Sequence, residues 1–201
     1  MIVALTGNIA AGKSTVSALF RGWGAGVVDA DQVVRDLQRP GTEVHRRIVE
    51  RFGKAILTAE GELDRPALRR LILEDTKARS DLNAIVHPAV REQRDTLVAA
   101  ARAAGARIIV ADIPLLFEAA DPKEFDAVVL VDAPEAMRLQ RLVNMRGLPS
   151  EDARRLIDAQ LPSGAKRKQS DFVIDNDGDR TQLERRAKDV WLELEARAGA
   201  A

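Results

Sequence analysis

The sequence contains no cysteine, few aromatic residues and no excess of charge of either sign. Without cysteine, the 201 residues offer no disulfide, no thiolate metal site and no cysteine nucleophile. Aromatic residues make up 3% of the chain, which argues against surfaces that stack nucleic-acid bases. Lys and Arg together number 31, as do Asp and Glu, so the formal net charge is zero. A nucleic-acid partner, which requires a cationic surface, is therefore not expected.

Long apolar runs are absent as well. No run approaches the roughly 20 residues that a membrane-spanning helix needs, and the first residues lack the pattern of a signal peptide. We therefore expect a cytoplasmic protein without a membrane partner. Hydrophobic residues make up 46% of the chain and charged residues 31%, which is the composition of a folded domain with a substantial core.

A glycine-rich segment near the start of the chain predicts a phosphate-binding loop. Residues 7–14, GNIAAGKS, have the spacing G-x-x-x-x-G-K-[ST], with a predicted strand before them and a predicted helix after them. The backbone amides of such a loop, together with the helix N-terminus, surround phosphate oxygens. Lys13 adds a cation for the β- and γ-phosphates, and the Ser14 hydroxyl suits Mg²⁺. The segment predicts nucleotide binding without identifying the reaction.

Five apolar segments predict the strands of one parallel sheet. They lie at residues 2–5, 27–31, 107–112, 125–132 and 171–175, and helical patterns separate them. Strands that alternate with helices predict an α/β fold, a five-stranded parallel sheet flanked by helices. With the phosphate loop after the first strand, an acid after the second and an arginine-rich segment after the fourth, this sheet suggests phosphoryl transfer and predicts the P-loop kinase fold.

We expect a single P-loop kinase domain with two additions. Its core comprises residues 1–38, 106–136 and 170–201, residues 39–105 form a helical insertion that binds an acceptor, and residues 137–169 form a helical lid. Within the insertion, one helix is predicted over residues 77–86 and the next from Pro88, which places His87 at their junction. His87 is either a structural hydrogen-bonding group or part of the acceptor site.

Carboxylates follow the second and third predicted strands. Asp29 and Asp31 follow the second strand, and Asp112 ends the third. Parallel strands gather ligands at their carboxyl ends, so these side chains are expected beside the phosphate loop. In an extended segment both Asp29 and Asp31 could face the site, and the alternative is that one of them only caps the next helix. Asp112 is typical of an acid that supports a metal in phosphate-loop proteins.

Residues 138–168 are locally basic in a neutral protein. They contain eight Lys or Arg against three acids, a local charge of +5. This favours a mobile lid that brings arginines to the nucleotide, because the planar guanidinium pairs well with phosphate. The alternative is an ordinary solvated helical face. Further along, Asn176 either contacts a base edge or forms a simple turn, and residues 113–118, IPLLFE, either line a pocket or belong to the core.

Several segments occur in a characteristic order, namely VALTGNIAAGKST, VVDADQVVRDL, RPG, LNAIVHPAV, IPLLFE, QRLVNMRG, the pair Gln160 and Lys166, and DFVIDNDG. In these segments and in their order, the chain resembles the dephospho-coenzyme A kinase family over nearly its whole length. The resemblance implies an enzyme that uses ATP and Mg²⁺ to phosphorylate the ribose 3′-hydroxyl of dephospho-coenzyme A. This reaction is the last step of coenzyme A biosynthesis. Two departures are Ala11, where a small polar residue or glycine is usual, and Met145-Arg146-Gly147, where Arg-Asp-Gly is common.

The resemblance also assigns site residues. It makes Asp31 the catalytic aspartate, assisted by Lys13 and by Arg141 of the lid, and it places Ser14 on Mg²⁺. Acceptor contacts are expected at Asp31, His87 and Leu115. The expected nucleotide contacts are Asn8, Ile9, Ala10, Ala11, Gly12, Lys13, Ser14, Thr15, Arg141 and Asn176.

Two other functions compete with this one. A kinase of the same fold for another small molecule, such as a nucleoside monophosphate, differs only in its acceptor pocket. A nucleotide switch or regulatory ATPase is the alternative of another class, and the guanine-reading motif of GTPases is absent because residues 76–79, TKAR, end in Arg. For the kinase we expect a small-molecule partner and a monomer or weak homo-oligomer.

Overall fold

A computed structural model of the chain describes residues 1–200, and Ala201, the last residue of the predicted core, lies outside them. Five parallel strands form one sheet in the order β2-β3-β1-β4-β5. The strands are β1 (Ile2–Gly7), β2 (Gly26–Asp29), β3 (Ile109–Asp112), β4 (Ala127–Asp132) and β5 (Phe172–Asp175). This confirms the predicted fold class, a five-stranded parallel sheet flanked by helices.

Helices make up most of the remaining chain over residues 1–200. They are α1 (Lys13–Gly22), α2 (Ala30–Leu37), α3 (Glu43–Phe52), α4 (Arg65–Glu74), α5 (Thr76–Ala103), α6 (Leu116–Ala119), α7 (Glu135–Arg146), α8 (Ser150–Asp158), α9 (Ser163–Arg167) and α10 (Arg180–Ala200). Short 3₁₀ turns occur at Lys54–Ile56 and Pro122–Glu124. In this described part, no helix combines the length and apolar character needed to cross a bilayer.

The central strands are mostly apolar and are buried along nearly their whole length, because both faces of the sheet are covered. All six residues of β4 are buried. Val3 and Leu5 of β1 pack with α1 and α10, in one core with Phe20 and Leu194. Ala4, which points to the other face, packs with Leu116 of α6. A parallel sheet covered in this way requires near-continuous apolar strands, which is why these segments were visible in the sequence.

The chain forms two compact units. One comprises residues 1–29 and 100–201, and it contains the sheet. The other comprises residues 30–99 and has its own apolar core, which includes Val44, Ile48 and Leu82.

The start of α3 is capped by a side chain. Thr42 accepts a hydrogen bond from the amide of His45, which is the usual way to satisfy a free amide in the first turn of a helix.

The prediction of two helices that meet at His87-Pro88 was wrong. A single helix, α5, runs from Thr76 to Ala103 with Pro88 inside it. An internal proline removes one backbone hydrogen bond and disfavours the helix by about 3 kcal/mol. Buried apolar residues on both sides, such as Val86 before it and Val98 after it, keep the helix continuous because their burial outweighs this local penalty.

The two leucines near the end of α10 provide a test of the sheet's helical cover. Leu194 is fully buried, whereas Leu192 is 52% exposed. Leu194→Ala is expected to lower the free energy of unfolding by about 2–5 kcal/mol, because it removes buried apolar surface and leaves a cavity. Leu192→Ala should change it by less than about 0.5 kcal/mol. Urea unfolding followed by tryptophan fluorescence measures both, and equal losses would contradict the position of α10.

Candidate active site

The phosphate loop joins β1 to α1 and contains two residues with left-handed backbone. Ala10 has φ +60° and Gly12 has φ +99°. This conformation is uncommon for alanine, so the surrounding contacts must hold Ala10 in place. Backbone of this kind turns successive amides toward one side and forms a concave anion site.

Both glycines of the motif are required by close neighbours. A Cβ on Gly7 would lie 2.5 Å from the Val131 carbonyl oxygen of the adjacent strand β4. A Cβ on Gly12 would collide with the Asn176 side-chain amide, in addition to the unfavourable φ. The two glycine positions of the motif are therefore fixed by two separate packing constraints.

Several loop amides are available to a ligand. Within residues 1–200, the amides of Ala10, Gly12, Lys13 and Ser14 have no hydrogen-bond acceptor in the protein, and α1 has no side-chain cap. The amide of Ala11, in contrast, donates to the Asn8 carbonyl at 3.0 Å. Unsatisfied amides at a helix N-terminus form a phosphate site, because the amides and the helix dipole both favour an anion.

Lys13 forms an ion pair with Asp112, the last residue of β3. Both side chains are largely buried, with 18% and 10% exposed. Asp112 is also the register neighbour of Asp29 in β2, so the two carboxylates end adjacent strands. The structure thus brings the predicted cation and the predicted metal-supporting acid together at the carboxyl edge of the sheet.

Two predicted nucleotide residues contact the backbone of the loop. The Arg141 guanidinium donates to the carbonyl of Ala10 at 3.1 Å and to that of Asn176 at 3.2 Å. The Asn176 side-chain amide donates to the Ala11 carbonyl at 2.7 Å. Asn176 is buried, with 6% exposed, and its backbone amide donates to the Asp132 carbonyl. Residues from two distant segments therefore converge on the two alanines of the loop.

The first residues of the loop contact two side chains for which sequence reasoning had predicted no such role. The Asn8 amide donates to Ser163 Oγ at 3.0 Å, and the Ile9 backbone amide donates to Gln160 Oε1 at 2.7 Å. Gln160 is one of the residues on which the resemblance to the kinase family rests, but its partner Ile9 lies about 150 residues away in the sequence. Ser163 carries no sequence signal of its own.

Part of the basic segment 138–168 makes internal contacts. Arg167 donates to Asp175 and Asp132, and these hydrogen bonds raise the pKa of its guanidinium above the ordinary value. Lys166 is fully buried, with its ammonium 2.7 Å from Glu118 Oε1. Arg138 is buried and donates to a backbone carbonyl. The local charge of +5 is therefore not all available to a ligand, although Arg141 does reach the loop.

The apolar IPLLFE segment packs mainly in the hydrophobic core. Leu116 is fully buried against the sheet with Ala4 and Val128. Leu115, the predicted acceptor contact, is 43% exposed. The segment ends at Glu118, whose carboxylate pairs with Lys166.

Asp31 and His87 belong to the unit of residues 30–99. Asp31 is exposed in the first turn of α2, two residues after the end of β2, and His87 is exposed on α5. Asp29, the other candidate, is the last residue of β2. The roles of Asp31 and His87 stay predictions.

The donors near Lys13 suit Mg²⁺. In the described chain, no three His, Asp or Glu side chains are grouped so that they alone could hold a metal. Mg²⁺ usually takes only one or two protein oxygens and completes its shell with phosphate and water. Ser14, which is exposed and follows Lys13 in the chain, and Asp112, which pairs with Lys13, supply oxygen donors of the kind this requires.

Gly12→Ala tests the geometry of the loop, with Gly24→Ala as the matched control. Both glycines have φ near +100°, but an added Cβ at Gly24 meets no atom within 4 Å. Gly12→Ala should weaken the binding of a nucleoside triphosphate by at least about tenfold, because it forces the loop away from Asn176. Gly24→Ala should leave binding unchanged. Calorimetric titration measures both, and equal affinities would contradict the assignment of the loop.

Comparison with known proteins identifies the family. The family model described as CoaE, dephospho-CoA kinase, matches residues 1–182. The chain is 43% identical over 190 residues to a dephospho-CoA kinase of Corynebacterium diphtheriae, with 94% of this chain and 95% of the relative covered. A dephospho-CoA kinase of Mycolicibacterium paratuberculosis is 44% identical over 191 residues, covering 95% of this chain but 46% of that longer relative.

The fold has a solved counterpart. A crystal structure of TT1252 from Thermus thermophilus superposes with a TM-score of 0.82 at 35% identity, covering 96% of this chain and 97% of that one. The comparisons give no support to a kinase for another small molecule. This chain therefore belongs to the dephospho-CoA kinase family, whose reaction is the last step of coenzyme A biosynthesis.

Proposed function

We propose that the phosphate loop binds ATP and that its neighbours transfer the γ-phosphoryl group to the ribose 3′-hydroxyl of dephospho-coenzyme A. The part of this proposal that concerns ATP, the phosphoryl donor, rests on one observation. The amides of residues 10, 12, 13 and 14 have no acceptor among the described residues, while Arg141 and Asn176 hold the loop's carbonyls. This leaves donors without partners where an anion binds best.

Lys13 contributes by exchanging one partner for another. In the structure its ammonium pairs with Asp112. When the triphosphate enters, Lys13 contacts the β- and γ-phosphates, and Asp112 becomes free to support a cation. Mg²⁺, held by Ser14 and supported by Asp112, would neutralise charge on the phosphate oxygens. The exchange keeps each of the two largely buried charges paired throughout.

Arg141 contributes charge near the transferred group. Its guanidinium lies against the loop at the Ala10 carbonyl. Phosphoryl transfer spreads negative charge over the equatorial oxygens, and catalysis consists mainly of positioning and of stabilising that charge. A guanidinium suits this role because it remains protonated and donates two parallel hydrogen bonds.

The acceptor half of the proposal concerns Asp31 and the insertion. Asp31 orients the 3′-hydroxyl and accepts its proton, and a weak base suffices because a loose transition state releases that proton late. His87, Leu115 and the predicted insertion of residues 39–105 bind dephospho-coenzyme A, and residues 137–169 act as the lid. We expect the enzyme to work in the cytoplasm as a monomer or weak homo-oligomer.

An acceptor screen tests this function. ADP release from ATP is measured with dephospho-coenzyme A, AMP and CMP as acceptors, with and without Mg²⁺. Rapid ADP release that depends on both dephospho-coenzyme A and Mg²⁺ is the expected result. Faster turnover of AMP or CMP, or ADP release that needs no acceptor, would contradict the proposal.

Asp31→Asn tests the proposed base, with Asp36→Asn as the control on the same helix. Asp36 is half exposed and pairs with Arg39 at the surface. Asp31→Asn should lower kcat by about 10²–10⁴ while ATP affinity stays unchanged, because the loss of a general base affects only the chemical step. Asp36→Asn should keep full activity. A fully active Asp31→Asn enzyme would remove Asp31 from the mechanism.

A further inference from the structure

Residues 160–163, termed here the loop-support segment, contact the first residues of the phosphate loop. The segment follows α8 and ends at the first residue of α9. Gln160 Oε1 accepts the backbone amide of Ile9 at 2.7 Å, and Ser163 Oγ accepts the side-chain amide of Asn8 at 3.0 Å. Both contacts reach the loop immediately before Ala10, its strained residue.

The Ser163 hydroxyl is oriented by a buried carboxylate. It donates to Asp132 Oδ1 at 2.8 Å, and Asp132 Oδ2 accepts from Arg167 at 2.9 Å. A hydroxyl has one proton to donate, so its use on Asp132 leaves the lone pairs to accept from Asn8. Asp132 is 7% exposed, which favours a fully satisfied network over a solvated one.

The loop-support segment is anchored independently of the phosphate loop. The Leu161 backbone amide donates to Glu118 Oε1 at 3.2 Å. The same oxygen lies 2.7 Å from the ammonium of Lys166, which is fully buried. Glu118 thus pairs with the buried ammonium of Lys166 and also accepts the Leu161 amide, which attaches the segment to a part of the protein outside the phosphate loop.

The strained conformation of Ala10 explains why such an anchor is needed. A left-handed backbone is unfavourable for alanine and persists only where the surrounding structure holds it. On the C-terminal side of the strained residue, Arg141 donates to the Ala10 carbonyl. On its N-terminal side, Gln160 accepts the hydrogen bond of the Ile9 amide. Loss of Gln160 would remove the acceptor of the Ile9 amide and with it one restraint on the backbone that leads into Ala10.

We propose that Gln160 and Ser163 are positioning residues for the donor nucleotide. Their side chains hold residues 8–10 in the conformation that presents the loop amides to phosphate. The proposal rests on the function proposed above, in which this loop binds ATP. Their removal should weaken ATP binding without affecting the acceptor site or the chemical step, because neither side chain takes part in the reaction.

The first test compares Gln160→Ala with Gln169→Ala in steady-state kinetics. Gln169 is an exposed glutamine whose side chain donates to the carbonyl of Ala165, within its own segment. Gln160→Ala should raise KM for ATP about tenfold, because a loop amide loses its acceptor. The kcat and the KM for dephospho-coenzyme A should stay within about twofold, as expected for lost uniform binding. Gln169→Ala should match the parent enzyme.

The second test uses a conservative replacement at Ser163. Ser163→Ala removes the hydroxyl that links Asn8 to Asp132, whereas Ser163→Thr retains it. KM for ATP should rise in Ser163→Ala and return toward the parent value in Ser163→Thr. A purely structural effect of side-chain size would not follow the hydroxyl. This pair decides the proposal if Gln160→Ala does not fold.

Lys13→Ala, assayed in parallel, separates failure of this proposal from failure of the proposed function. If Lys13→Ala raises KM for ATP while Gln160→Ala and Ser163→Ala do not, the positioning role alone is wrong. If Lys13→Ala leaves KM for ATP unchanged, the loop is not the donor site and both proposals are wrong. Equal increases in both KM values with a lower melting temperature in Gln160→Ala would indicate general destabilisation and would also overturn the positioning role.

Discussion

Side chains from distant segments hold the backbone of the phosphate loop in a conformation that it would not keep alone. Ala10 has φ +60°, and its carbonyl and that of Ala11 are bonded by Arg141 and Asn176. Because these side chains occupy the loop's carbonyls, the amides of the loop remain for a ligand. The site is thus prepared before the nucleotide arrives, which lowers the cost of ordering it on binding.

The order of strands explains why these segments meet. β1 lies between β3 and β4, and β5 follows β4. The loop after β1 is therefore flanked by Asp112 at the end of β3 and by Asp132 at the end of β4, with Asn176 just past β5. Gly7 permits the close approach of β1 to β4 on which this arrangement depends. The chemistry at the carboxyl edge thus follows from the packing of the sheet.

Local patterns in the sequence predicted the features that depend on neighbours in the chain. The glycine spacing, the apolar strands and the acid at Asp112 are of this kind, and the structure places Asp112 beside Lys13. The continuous helix through Pro88 was not predictable, because burial on both sides of the proline outweighs its local preference. The contacts of Gln160 and Ser163 with the loop were missed because their partners lie about 150 residues away, and a single polar residue carries no sign of such a contact.

Amide hydrogen exchange in the nucleotide-free protein tests most directly whether the loop is held ready by the protein itself. NMR at single-residue resolution should show protected amides at Ile9 and Ala11, which have acceptors within the protein. The amides of Gly12 and Ser14 should exchange rapidly and become protected only when ATP is added. If Ile9 and Ala11 exchange as fast as an unfolded chain until ATP binds, the nucleotide and not the protein orders the loop.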